Sequence, residues 1–223
     1  MGVFSGLMDL LFPPKCVLCH RVLRMGKTGL CEECKKDIPG QETEFKGTFF
    51  SRCVVSLRYE NQVREAVHRF KFGDQSGYAT SFGKILAGTI KKELSGAYDL
   101  ITWVPVSAQR LKERGYDQSM LLALSSALEL DDVAVETLRK SRHNVKQSEI
   151  TDAKQRKENV KDAYEATDPE LIRGKRILLI DDVITTGSTM EEAARTLLRA
   201  GAGAVVGAAL ARPPKKYTKE ESL

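Results

Sequence analysis

Residues 175–190 read KRILLIDDVITTGSTM. Four consecutive apolar residues, Ile177 to Ile180, run into two adjacent aspartates, and five small residues then lead into a helical pattern. An unbroken apolar run of this length fits a strand buried on both faces, which points to a parallel sheet covered by helices. Two neighbouring carboxylates at the end of such a strand repel each other and add nothing to its stability, so they imply something that they face.

The rest of the chain agrees with that reading. FFSRCVVSLRY reads as a strand, NQVREAVHRFKF as a helix with Val63, Val67 and Phe70 on one face, and YATSFGKILAGTIKKEL as a second helix. YDLITWVPV is an apolar strand ending at Pro105, YDQSMLLALSSAL a helix, and DVAVETLRK and VKDAYEA two further strands. After KRILLIDD come the helix TMEEAARTLLRAG and a last strand, AGAVVGAALAR. Strands alternating with helices, several of the strands continuously apolar, give an α/β fold with a doubly wound parallel sheet. Ligands of such sheets bind beyond the carboxyl ends of the strands. The expected division is a four-cysteine domain over 1–48, an α/β domain over 49–212 and a disordered tail over 213–223. Phe4, Leu7, Met8, Leu11 and Phe12 sit at helical spacing, which predicts a short helix docked on the body. The first residues lack a basic segment and include Asp9, which argues against a signal peptide.

The net charge of +5 is local: between Arg139 and Lys161 stand eight Lys or Arg against three Asp or Glu. That segment reads either as a solvated loop or as a loop that meets an anion. No apolar run approaches the roughly 20 residues that span a bilayer.

Four of the five cysteines form two pairs, Cys16 and Cys19, then Cys31 and Cys34. Each pair can form a knuckle aiming two thiolates at one cation, and two knuckles make the tetrahedral set that Zn²⁺ prefers. The segment lacks apolar runs for a core, so a metal staple fits its needs, and four thiolates leave no open position for catalysis. Cys53 stands in an apolar stretch as a small buried hydrophobe, and the pattern fits a reducing, cytoplasmic compartment.

After Asp181 and Asp182, the residues Thr185, Thr186, Gly187, Ser188 and Thr189 offer hydroxyls, backbone N–H groups and the positive end of a helix, which together make a phosphate cradle. The acids would accept hydrogen bonds from vicinal hydroxyls beside that phosphate, so a sugar phosphate meets both demands. A plain strand–turn–helix with a Ser or Thr cap explains one hydroxyl residue, not this set.

This stretch resembles the phosphoribosyl pyrophosphate (PRPP) motif of type I phosphoribosyltransferases. WVPVSAQRLKERGYDQSMLLA, with Arg114-Gly115-Tyr116-Asp117-Gln118, resembles a second signature of the ComF family of competence proteins, whose usual form is Arg-Gly-Phe-Asn-Gln. The stretch with Gln147, Arg156, Asn159 and Val160 resembles a third, with looser spacing. An N-terminal four-cysteine zinc ribbon followed by a phosphoribosyltransferase domain is that family's architecture.

The resemblance implies that Asp181 and Asp182 are the catalytic pair and hold the ribose 2′- and 3′-hydroxyls. Val183 and Thr185 to Thr189 would bind the sugar phosphate. Pro105 and Val106 would face the pyrophosphate, with Arg110 or Arg114 adding charge. Mg²⁺ would come mainly on the ligand's own oxygens. The basic segment would be a loop closing over PRPP. Asp117, where the family has Asn, adds a negative charge that weakens a ligand role for it. Among the three histidines only His143 is a candidate general base. The family points to DNA uptake, with other DNA-uptake proteins as partners, and the zinc ribbon and the basic segment fit contact with single-stranded DNA. The alternative is an active phosphoribosyltransferase of nucleotide or salvage metabolism acting on an unknown acceptor.

Overall fold

In a computed structural model the described residues are 13–24, 29–36, 44–73, 77–140 and 162–214. The central sheet has four strands, β1 (Cys53–Arg58), β2 (Leu100–Trp103), β5 (Arg176–Val183) and β6 (Ala204–Arg212), in the order β1-β6-β5-β2, all parallel. The apolar runs in β5 and β6 explain this. Ile177, Leu178, Leu179 and Ile180 are all fully buried, so successive side chains enter opposite cores. Truncating any one to Ala would cost about 2–5 kcal/mol.

One face of the sheet is covered by α2 (Asn61–Phe72), α3 (Tyr78–Glu93) and α5 (Gln118–Glu129), whose Phe70, Phe82, Leu86 and Leu122 pack with Leu178 and Ile180. α3 and α5 pack closely because Gly83 has no side chain: a Cβ there would lie 2.5 Å from Ser125 Cβ. The other face is covered by α7 (Ser188–Arg199), whose Met190, Ala193 and Leu197 pack with Ile177 and Leu179.

The sequence reading erred in one region. Of DVAVETLRK only β3 (Leu138–Lys140) is a strand, with an isolated parallel bridge from Ala134 to Ile101. VKDAYEA yields β4 (Tyr164–Ala166), and β4 pairs antiparallel with β3 as a separate two-stranded ribbon. Two helices were not announced by helical periodicity: α4 (Ala108–Arg114), with no buried residue, and α6 (Pro169–Ile172), a single turn that buries only Ile172. The predicted N-terminal helix, the tail beyond residue 214 and residues 141–161 lie outside the described residues.

The four-cysteine segment, with α1 (Glu32–Lys36), packs on the first face. Cys16, Val17, Leu18 and Leu23 share a core with Phe70 and Phe82. No helix among the described residues is long and apolar enough to cross a membrane.

Candidate functional site

The sulfurs of Cys16, Cys19, Cys31 and Cys34 all lie within 4.8 Å of one another. The first knuckle closes through hydrogen bonds from His20 N–H to the Cys16 carbonyl (2.9 Å) and from Cys16 N–H to the Arg21 carbonyl (2.8 Å). In the second, the Cys34 N–H donates to Cys31 Sγ at 3.4 Å. Tetrahedral Zn²⁺ with bonds of about 2.3 Å sets its sulfurs ~3.8 Å apart. Cys19 and Cys31 already stand at 3.7 Å, so the donor set fits one structural zinc.

At the carboxyl ends of β2 and β5 lies a cavity of about 400 Å³. All twelve residues singled out for the sugar phosphate line it: Pro105, Val106, Arg110 and Arg114 on one side, Asp181, Asp182, Val183 and Thr185 to Thr189 on the other. Parallel pairing brings the two sides together, because Trp103 is in register with Ile180 and Val104 N–H donates to the Ile180 carbonyl at 2.9 Å.

The acid pair ends β5, buried and held from three sides. Ser119 Oγ, in the first turn of α5, donates to Asp181 Oδ1 at 3.2 Å, and the Asp182 N–H donates to the same oxygen at 2.8 Å. Lys71, at the end of α2, sets its ammonium 2.8 Å from Asp182 Oδ2. Burial, and next the Asp182 charge, push Asp181 up to about 7; Lys71 and the two donors pull the other way.

Past the acids the chain turns into α7. Its N-cap is Gly187, at φ +81, which has no side chain to cap the helix. The hydroxyls of Thr186 and Ser188 meet at 2.8 Å instead. A Ser or Thr at the N-cap itself therefore does not account for the five small residues, although Thr186 Oγ1 also accepts from the Ser188 N–H at 3.4 Å. Phe45 lies against the loop: a Cβ at residue 187 would sit 2.5 Å from its ring. Arg212 stacks over the Phe45 ring at 4.4 Å, and Glu191 accepts from Thr48 N–H (2.6 Å) and Phe49 N–H (2.9 Å).

Across the cavity, Asp117 Oδ1 caps α5 through Met120 N–H (3.0 Å), and Oδ2 accepts from Val106 N–H (2.9 Å). It is a buried brace for the Pro105–Val106 loop, which accounts for an acid at this position. Arg114 stacks over Phe72 at 4.7 Å and donates to Gln118 Oε1 at 2.7 Å. Lys140 turns into the cavity, 3.4 Å from the Tyr164 hydroxyl, and burial pushes it down to about 8.

Sequence reasoning missed Lys71, Ser119, Lys140 and Tyr164 as lining residues. Lys71 carried a signal: it follows the buried Val67 by four residues, so it sits on the inward face of α2. Lys140 was read only as part of the basic segment. Gln147, His143, Arg156, Asn159 and Val160 lie outside the described residues.

The chain matches the model of the phosphoribosyl transferase domain over residues 117–222 and that of the double zinc ribbon domain over residues 7–45. The second stretch holds four cysteines, enough for one ion. The chain is 31% identical over 201 residues to the DNA utilization protein YhgH of Escherichia coli, covering 85% of this chain and 86% of that one. It is 27% identical over 212 residues to competence protein F of Haemophilus influenzae, covering 84% and 92%. It is 31% identical over 192 residues to competence protein ComFC of Bacillus subtilis, covering 86% and 74%. A zinc ribbon joined to a phosphoribosyltransferase domain, with relatives of these names along most of its length, makes the chain a member of the ComF family.

Proposed function

We propose that this protein binds PRPP at the cavity beyond β2 and β5 and acts in the cytoplasm in the uptake or use of DNA. The observation that carries the reading is the charge of the cavity wall. Among the described residues Lys71, Arg110, Arg114 and Lys140 face it against only Asp181 and Asp182, so the wall is cationic except where two carboxylates stand side by side. A polyanion with one vicinal diol complements that pattern. The diol would donate to Asp181 Oδ2 and Asp182 Oδ1, since Ser119, the Asp182 N–H and Lys71 engage the other two oxygens. The 5′-phosphate would take the Thr185–Thr189 loop and the start of α7. Pyrophosphate would lie by the Pro105–Val106 loop, with the two arginines as bidentate donors.

Among the described residues Asp181 and Asp182 are the only carboxylates on the wall and both are engaged, so the donor set suits Mg²⁺ carried on the ligand rather than caged by protein. Bound there, Mg²⁺ would neutralise pyrophosphate charge. The protein's part is to hold the ribose and to stabilise charge on departing pyrophosphate as C1 becomes oxocarbenium-like. The link to DNA rests on the names of the relatives. Arg139, which pairs with exposed Glu165 at 3.2 Å, and the basic residues after it are the proposed contact with single-stranded DNA. Residues 1–48 would form the ribbon domain and 49–212 the ligand-binding domain.

The test is a thermal shift with Mg²⁺ and PRPP, compared with ribose 5-phosphate and with pyrophosphate. PRPP should raise Tm most. Equal shifts from all three would contradict the reading. Following pyrophosphate release with a panel of bases, nucleic acids and water then separates binding from transfer.

A further inference from the structure

The last turn of α2 stands between the zinc knuckle and the acid pair. On one side Arg69 Nη2 donates to the carbonyls of Val17 (3.3 Å) and Leu18 (2.9 Å), the two residues between Cys16 and Cys19. Two residues on, about 200° around the helix, Lys71 pairs with Asp182 at 2.8 Å. Between them Phe70 is fully buried, and its carbonyl accepts from the Tyr116 hydroxyl at 2.5 Å. At the other end of α2, Cys34 Sγ donates to Gln62 Oε1 at 3.7 Å. Lys71 and Asp182 are both mostly buried, so a small displacement of the ammonium leaves a carboxylate poorly compensated.

We propose that Arg69 is a positioning residue of the cavity: by gripping the knuckle carbonyls it fixes the last turn of α2 and so holds Lys71 against Asp182. The inference deepens the PRPP reading and rests on it for its meaning, because the acid pair is where the ribose would bind. The metal-loaded knuckle would then be part of the site's framework, since its carbonyls are fixed when the four thiolates converge.

Among the described residues the groups facing the acid pair besides Lys71 and Ser119 are Arg110 and Arg114 from α4, Asp117 at the start of α5, Lys140 from β3, Tyr164 from β4 and Cys53 from β1. None of these touches Arg69, so a change at Arg69 reaches the pair through Lys71.

The experiment follows the Asp181 carboxyl by ¹³C NMR against pH in the zinc-loaded full chain without ligand, and measures Mg²⁺-dependent PRPP affinity alongside. Lys71→Met should raise the midpoint by about one pH unit, the effect of removing a close opposite charge. Arg69→Met should raise it in the same direction, and the double variant should go no further than Lys71→Met alone. Glu65→Gln, which removes only the surface partner of Arg69 at 3.8 Å, should leave it in place. PRPP affinity should fall with the midpoint shift. A wild-type midpoint in Arg69→Met, or additive effects in the double variant, overturns the proposal. Arg69→Gln, too short for both carbonyls, serves the same comparison if Arg69→Met does not fold. Midpoints that move while no variant or wild type binds PRPP would sink the PRPP reading and keep the positioning role.

Discussion

The Phe45 ring occupies the space that a side chain at Gly187 would need, with the ring edge 2.5 Å from the position of a Cβ. Gly187 also has φ +81, where L side chains are strained. The connection out of the zinc ribbon thus closes over the turn that precedes α7. Gly187→Ala should destabilise the chain by about 1–2 kcal/mol, the sum of the left-handed strain and ring displacement. Urea unfolding measures it. PRPP affinity should fall as well, because the loop N–H groups move.

Asp117 braces two elements at once, through Met120 N–H and Val106 N–H. Asp117→Ala should cost about 1–2 kcal/mol in urea unfolding. Asp117→Asn keeps one oxygen acceptor and should lose less. In both, pyrophosphate affinity should drop more than ribose 5-phosphate affinity, since the Pro105–Val106 loop is what loosens.

The raised Asp181 fixes the sign of two pH effects. In the fold its protonated form is favoured, so its contribution to stability is full below the ordinary carboxylate range and is lost as pH climbs to about 7. A ribose hydroxyl, by contrast, donates to the ionised form. PRPP affinity should therefore rise with pH through about 7, by up to about tenfold per pH unit for a single proton. Asp181→Asn should remove this part of the profile and leave the part that belongs to the ligand's phosphates. Calorimetry across pH 5.5–8.5, roughly the window around that midpoint, provides the check.

Metal analysis should find one zinc per chain in protein purified without chelator. Cys19→Ser should lower that content and the Tm together, because the ribbon shares its core with α2 and α3.

The parallel sheet was legible because each central strand is an unbroken apolar run, and α2 because Val63, Val67 and Phe70 keep helical spacing. The ribbon of β3 and β4 was not, because strands of three residues carry too few positions to show a period or a partner. α4 was hidden for a related reason, with no buried face to mark it. The cavity wall contributed by the signatures was readable one segment at a time. Lys71 and Ser119 were not, because what matters is where they reach across the fold: the ammonium to Asp182, the hydroxyl to Asp181. Asp117 shows the converse, an acid in a signature whose side chain turns to backbone N–H groups rather than to the cavity.

The most direct measurement is calorimetry of PRPP with Mg²⁺ on the wild-type chain and on Asp181→Asn/Asp182→Asn, with pyrophosphate as the control ligand. Two hydrogen bonds to charged carboxylates should be worth about 3 kcal/mol or more together, so the double variant should bind PRPP roughly 100-fold more weakly. Pyrophosphate, which has no diol, should bind both proteins alike or the variant slightly better. Equal PRPP affinity in the two proteins would contradict the account.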